Sequence, residues 1–224
     1  FESLTHQEDF ASQYRYMSEE EANKLFAQMI SSSDQNTYPL LNEETRKNGK
    51  PDILVIIMES FANDIMPSVG THKDVAICLD SIAKKGIFFS RFYSNTFRTD
   101  RGLVAVLSGY PAQPTTSIMR YPAKSAQLPS LARSLAKAKH YGNAYYYGGD
   151  VDFANQRSWL VSQGYERIIS DSDFPIEDKM SKWGVHDHIV ANRLLADIKK
   201  EQNAKQPMLR IFQTSSSHEP FDVP

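Results

Sequence analysis

The chain is poor in several things whose absence narrows the field. Of its 224 residues only Cys78 is a cysteine, so neither an intramolecular disulfide nor a thiolate metal cluster can form. Charge of one sign is missing too: 25 Lys and Arg stand against 27 Asp and Glu, a formal net charge of -2. Nucleic-acid binders usually carry a clustered basic excess, and nothing in the balance argues for such a partner. No apolar run approaches the roughly 18 residues that a membrane-crossing helix needs. The first residues lack the basic-then-apolar pattern of a secretory leader. Internal repeats and low-complexity tracts are absent as well. What remains is 41% hydrophobic and 23% charged residues, ordinary for a folded domain and too apolar for wholesale disorder. A chain of this length can bury a core without covalent staples.

Residues 1–50 differ from the rest. Ser18 and Glu21 have capping-box spacing, and Ala22, Leu25, Phe26, Met29 and Ile30 recur at helical intervals. A polar stretch over 31–50 follows, so 1–50 is expected to be a helix and linker segment and 51–224 the folded domain. After Lys50-Pro51 the short β-branched run 53–58 predicts a strand buried on both faces. From there the two periodicities alternate. Helices are expected over 79–85, 102–107, 129–139, 154–163 and 187–202, and strands over 87–89, 143–147 and 208–213. Gly86, Gly109, Gly142 and Gly164 stand just past helix ends. This alternation predicts an α/β domain: a largely parallel, mixed sheet with helices on both faces.

Sheets of that kind place ligands beyond the carboxyl ends of their strands, which directs attention to a few side chains. Glu59 directly follows the first strand, where a carboxylate can bind a cation or cap the next helix. Thr99 precedes a helical pattern, so its hydroxyl can be an N-cap. Equally, a nucleophile gains there from free N–H groups and the helix dipole, and threonine needs metal coordination to act as one. Residue type and position leave both pairs of readings open. His218 follows the last strand in a polar loop and is placed to contact a ligand. Trp183 is either a wall of a substrate site or plain packing. His186 and His188 lie two apart, share no helix face, and read as solvated or capping. Cys78 reads as a small packed apolar residue, and Tyr145-Tyr146-Tyr147 as sheet.

Four stretches carry a family resemblance, in order along the chain: Val55 through Phe61 with Glu59, the segment ending Leu107-Ser108-Gly109-Tyr110-Pro111, Lys182-Trp183-Gly184, and Ser216-Ser217-His218-Glu219-Pro220-Phe221. Over about 51–224 they resemble the sulfatase-like branch of the alkaline phosphatase superfamily. Within it they are similar to lipoteichoic acid synthase-type phosphoglycerol transferases. The resemblance implies that Glu59 binds a divalent metal (Mn, Zn or Mg) and that Thr99 is the metal-bound nucleophile. It implies that His218 contacts the transferred phosphoryl group, that Trp183 walls the substrate pocket, and that Asp178 is a further substrate contact. Sulfatases proper use a Cys or Ser, converted to formylglycine, with a proline two positions on and an arginine four positions on. Counting back ten from Gly109 lands on Thr99, which cannot be so converted, and Arg101 and Leu103 hold the other two places. A threonine-nucleophile phosphotransferase is therefore favoured over a classical sulfatase.

The family completes its metal site with an Asp-His pair on a later strand, and no such pair follows His218. The expectation is thus a truncated fold, the N-terminal part of the catalytic domain, inactive alone and with its metal weakly bound or absent. For the intact enzyme the resemblance implies a membrane lipid donor, a glycan or glycolipid acceptor, and an extracytoplasmic, membrane-anchored location. Rival readings are a phosphoethanolamine transferase, another phosphodiesterase or sulfatase-like hydrolase, and a non-catalytic envelope-binding module.

Overall fold

The computed structural model describes residues 9–30, 49–204 and 206–223, and the chain falls into two compact units, Phe1–Asn48 and Gly49–Pro224. The first holds a short helix α1 (Phe10–Gln13) and a longer one, α2 (Glu19–Ile30). The Ser18 hydroxyl accepts the Glu21 N–H at 3.2 Å, and three glutamates occupy the first turn of α2, where the helix dipole favours negative charge. The expected linker over 31–50 lies outside the described residues except for its last two.

In the second unit the alternating pattern produces strands β1 (Ile53–Ile57), β2 (Gly142–Tyr147), β3 (Arg167–Ile169) and β4 (Met208–Gln213). They form one sheet in the order β1-β4-β2-β3, and every pairing is parallel rather than mixed. Parallel neighbours need crossover connections. These carry α3 (Ile77–Ala83), α4 (Thr99–Ser108), α5 (Pro122–Ser125), α6 (Leu131–Lys139), α7 (Gln156–Ser162) and α8 (Asp187–Glu201).

The core sits on both faces of β2 and β4. On one face Val190 and Leu194 of α8 pack against Ala144, Tyr146, Ile169 and Phe212. Strand alternation turns Tyr145, Leu209 and Ile211 to the other face, where all three are fully buried. Gln163, itself buried, ties several helices together: its side chain accepts from Ser108 Oγ at 3.2 Å and donates to the Ser125 carbonyl at 2.9 Å. Its own carbonyl accepts from Ser130 Oγ at 2.5 Å. Each polar atom so held avoids the cost of burial without a partner, about 1–3 kcal/mol.

Four expectations change. β1 is half-buried on one face and exposed on the other, with Leu54 46% and Ile56 52% exposed. Among the described residues it stands at the sheet edge with β4 as its one partner strand, so its side chains have a neighbouring strand on one side only. Residues 87–89 form no strand, and Ile87, Phe88 and Phe89 lie exposed; β-branched and aromatic character makes a strand only when a ladder partner is there. β3 was not expected, being three residues long. Cys78 is exposed rather than packed. Helix ends follow local chemistry more closely. Gly109 closes α4 at φ 64, whereas α6 closes on His140 at φ 59 in the left-handed region, leaving Gly142 to open β2.

Candidate active site

The sheet register builds the site. Ile57 and Tyr147 both pair with Gln213, so the chain leaves β1, β4 and β2 along one edge, at Glu59, Thr214 and Gly148. A cavity of 330 Å³ opens there, and its lining includes Glu59, Thr99, Trp183, Gln213, Ser215 and His218.

Glu59 is held by its backbone, whose N–H donates to Thr214 Oγ1 at 3.0 Å. The next residue, Ser60, adopts φ 55, a conformation that costs energy in any residue but glycine and recurs at functional turns. Thr99 is the first residue of α4, and Arg98 takes the cap position without a side-chain cap bond. The Thr99 hydroxyl instead donates to Glu59 Oε1. The other carboxylate oxygen, Oε2, meets Gln213 Nε2 at 3.5 Å, long for a hydrogen bond. Gln213 cannot turn its amide round, because Oε1 accepts from Tyr145 Oη and, at 2.8 Å, from Gln156 Nε2. Burial pushes the Tyr145 phenol far above its ordinary range, and burial with the nearby Glu59 charge does the same to Tyr147. Both remain neutral O–H groups at any physiological pH.

Do these residues fit a divalent metal? Glu59 Oε2 lacks a close donor, Thr99 adds a second hard oxygen beside it, and Asp100 Oδ1 is buried in the same region without a hydrogen-bond partner. Arg98 Nε approaches that oxygen only to 3.7 Å. Glu59, Asp100 and Asp150 all line the cavity, so negative charge dominates it and a cation would offset the repulsion. The donor set fits one side of an oxygen-rich shell. Among the described residues no three His, Cys, Asp or Glu side chains converge to complete it.

The opposite wall is made by two loops pressed together. Trp183 Nε1 donates to the Glu219 carbonyl at 2.7 Å, and the Trp183 and His218 rings lie 4.4 Å apart at 59°. Gly184 has φ 113, and a Cβ there would come within 2.3 Å of the Gly148 carbonyl oxygen, so only glycine lets the Trp183 loop seat against the end of β2. Asp222 accepts from the Lys182 N–H at 2.7 Å and Ser181 Oγ at 3.2 Å; the Lys182 bond, most of all, holds its carboxyl below the usual range. His186 is 4% exposed and stacks on His188 at 5.9 Å, so it is buried rather than solvated and makes no side-chain cap. Asp178 ends a short turn, Ile176–Asp178, and is not among the residues lining the cavity. Sequence reasoning passed over Gln213, Gln156 and Asp150. Only Gln213 carried a signal, as the last residue of a strand whose carboxyl end faces the ligand edge.

Fold and site together define a parallel α/β protein whose carboxyl edge joins a carboxylate to a hydroxyl at a helix start. The sulfatase family model matches residues 51–224, and the chain belongs to the sulfatase family. Phosphoglycerol transferase I of Xanthomonas campestris pv. campestris strain B100 is 28% identical over 131 residues, covering 54% of this chain and 18% of that protein. The protein of the same name from strain ATCC 33913 matches to the same extent. Among solved structures, a protein in the alkaline phosphatase superfamily from Vibrio parahaemolyticus superposes with a TM-score of 0.71 at 22% identity, over 78% of this chain and 42% of that one. The lipoteichoic acid synthase LtaP from Listeria monocytogenes gives 0.69 at 18% identity, with the same coverage. These two likenesses show the fold. The chain spans less than half the length of either structure and less than a fifth of the transferases.

Proposed function

We propose that this chain carries the nucleophile side of a metal-dependent phosphotransferase that moves a phosphoglycerol-type headgroup from a membrane lipid to a cell-envelope glycan or glycolipid. The observation that carries the reading is the Thr99 hydroxyl bonded to Glu59 at the start of α4, on a cavity that also presents His218 and Trp183. The likeness to phosphoglycerol transferase I supports the headgroup. A divalent metal held by Glu59 and Thr99 would make the hydroxyl acidic and offset negative charge on the phosphoryl group.

The residues supply the rest. Glu59 takes the hydrogen bond of Thr99 and aims Oγ1 into the cavity. Oγ1 gives up its proton and forms a bond to phosphorus while the bond from phosphorus to the diacylglycerol oxygen breaks, and the leaving oxygen takes up one proton in exchange. The headgroup stays on Thr99 as a phosphodiester until an acceptor hydroxyl displaces it and Thr99 recovers its proton. His218 hydrogen-bonds a non-bridging oxygen, and Trp183 walls the headgroup. A membrane lipid donor together with an envelope acceptor implies a domain that works at the membrane outside the cytoplasm.

The test measures bound metal by mass spectrometry, and the Thr99 peptide after incubation with phosphatidylglycerol. It compares this chain with a version extended toward the length of its relatives, each also as Glu59→Ala and Thr99→Ala. The reading predicts stoichiometric metal and a phosphoglycerol adduct on Thr99 in the extended protein, with the adduct lost in both variants. An extended protein that takes up no metal and forms no adduct would leave a non-catalytic envelope-binding module.

A further inference from the structure

The loop that carries His218 is not held by β4 alone. Asp187 lies in the first turn of α8, yet its carboxylate serves a distant segment: Oδ1 accepts the Ser215 N–H at 2.7 Å and Oδ2 the Ser216 N–H at 2.9 Å. The exchange is reciprocal, since Ser216 Oγ accepts the Asp187 N–H at 2.9 Å. That N–H belongs to the first turn of a helix, where no intrahelical carbonyl is available to it. Four hydrogen bonds therefore join the start of α8 to the two residues after Thr214, counting a long one from Ser215 Oγ to Oδ1 at 3.5 Å, and three of them end on a carboxylate, which makes them the stronger kind. From Ser215 the chain turns at once, with the His218 N–H donating to the Ser215 carbonyl at 3.0 Å. The imidazole then lies against Trp183, whose loop runs directly into α8.

We propose that Asp187 is a positioning residue, fixing the Ser215–His218 turn so that the imidazole faces the cavity floor at Glu59 and Thr99. The proposal rests on the functional reading above only for what His218 does; the positioning itself is independent of it. Asp187 touches neither of the reacting oxygens and acts through the backbone of Ser215 and Ser216. An asparagine in its place keeps one acceptor but turns an N–H₂ toward the other backbone N–H, so one bond becomes a donor–donor contact.

The experiment compares the full chain with Asp187→Asn, using two readouts that need no turnover. Amide exchange at Ser215 and Ser216, followed by NMR, should quicken by roughly 10- to 100-fold, the range expected when bonds to a charged acceptor are lost. Tryptophan emission at a single pH supplies the second, because the His218 ring packs on the Trp183 indole at 4.4 Å. The other tryptophan, Trp159, is fully buried on α7. His218→Asn should shift the Trp183 emission, and Asp187→Asn should shift it in the same direction by a smaller amount. A purely structural role would lower the thermal midpoint and leave the emission of the folded protein unchanged, which overturns the proposal. Ser216→Ala removes the bond from the Asp187 N–H without touching the carboxylate and keeps the test alive if Asp187→Asn fails to fold; the Asp187 amide should exchange a few-fold faster and the Trp183 emission shift, and no change in either overturns the proposal. Should both loop readouts move while His218→Ala leaves adduct formation on Thr99 untouched in the extended protein, the positioning stands and the phosphoryl-contact role of His218 falls.

Discussion

The two sides of the cavity are built in different ways. On the side of β4 and α8, hydrogen bonds join residues far apart in the chain: Glu59 to Thr214, Asp187 to Ser215 and Ser216, Trp183 to Glu219, Lys182 to Asp222. On the side of β1, the segment 86–97 makes mostly short-range bonds, such as Phe92 N–H to the Phe89 carbonyl and Arg98 N–H to Thr96 Oγ1, and Phe89, Phe92, Tyr93 and Phe97 are exposed. The first side is preorganised, because moving any one loop breaks bonds to another. The second places its apolar surface outward with little long-range fastening. Precise placement of polar groups therefore rests on the β4–α8 side, where His218 and Trp183 stand, while Thr99 reaches that order through its bond to Glu59.

This contrast can be broken by substitution. Leu209 is fully buried at the centre of the sheet, and Leu209→Ala should cost about 2–5 kcal/mol in urea unfolding. Gly184→Ala comes next, at about 1–3 kcal/mol, because it strains a left-handed backbone against Gly148. It should also shift the Trp183 emission, which Leu209→Ala should leave unchanged in the folded fraction. If Gly184→Ala were neutral by both measures, the seating of the Trp183 loop would not be what orders this wall.

On the β1 side the strongest local tie is Asp80, which accepts from Lys84 Nζ at 2.7 Å and the Ser68 N–H at 2.9 Å. The Lys84 bond first, then Ser68, lower its carboxyl from 3.8 to about 2. A carboxyl depressed in the folded state stabilises the protein above its unfolded value and loses that contribution as pH falls through the folded value. The gap in unfolding midpoint between wild type and Asp80→Asn should hold from neutral pH to about 3.8 and close toward about pH 2. A gap that is flat over that window would mean the tie is not electrostatic. The smallest effect is expected at Leu54, half exposed on the outer face of β1, where Leu54→Ser should change stability by less than about 0.5 kcal/mol. A cost like that of Leu209→Ala would show that this face is covered in solution.

Much of the fold was legible before any coordinates. Strands at 53–58, 143–147 and 208–213 and the helix that became α8 follow from local apolar patterning, and Gly109 marked the end of α4 because only a left-handed residue closes a helix so sharply. Glu59, Thr99 and His218 stood near predicted element ends and Trp183 in a stretch that carries the resemblance, and all four line one cavity. Asp178 also came from the resemblance, but its turn lies outside that lining. Residues 87–89 misled, since their strand-like character finds no partner.

What the sequence determined by itself is local: which segments repeat every two or every 3.6 residues, where a helix can start, which side chains are chemically able to bind or attack. Tertiary structure decided everything that depends on a partner distant in the chain. It set β1 at the edge rather than the centre, buried His186, and turned Thr99 from a possible cap into a donor to Glu59, which lies 40 residues away. It gave Asp187 two N–H groups to hold at a separation of 28 and 29 residues. Hydrogen bonds of that span carry no periodicity, because the register of a parallel sheet, not the spacing of residues, brings their ends together.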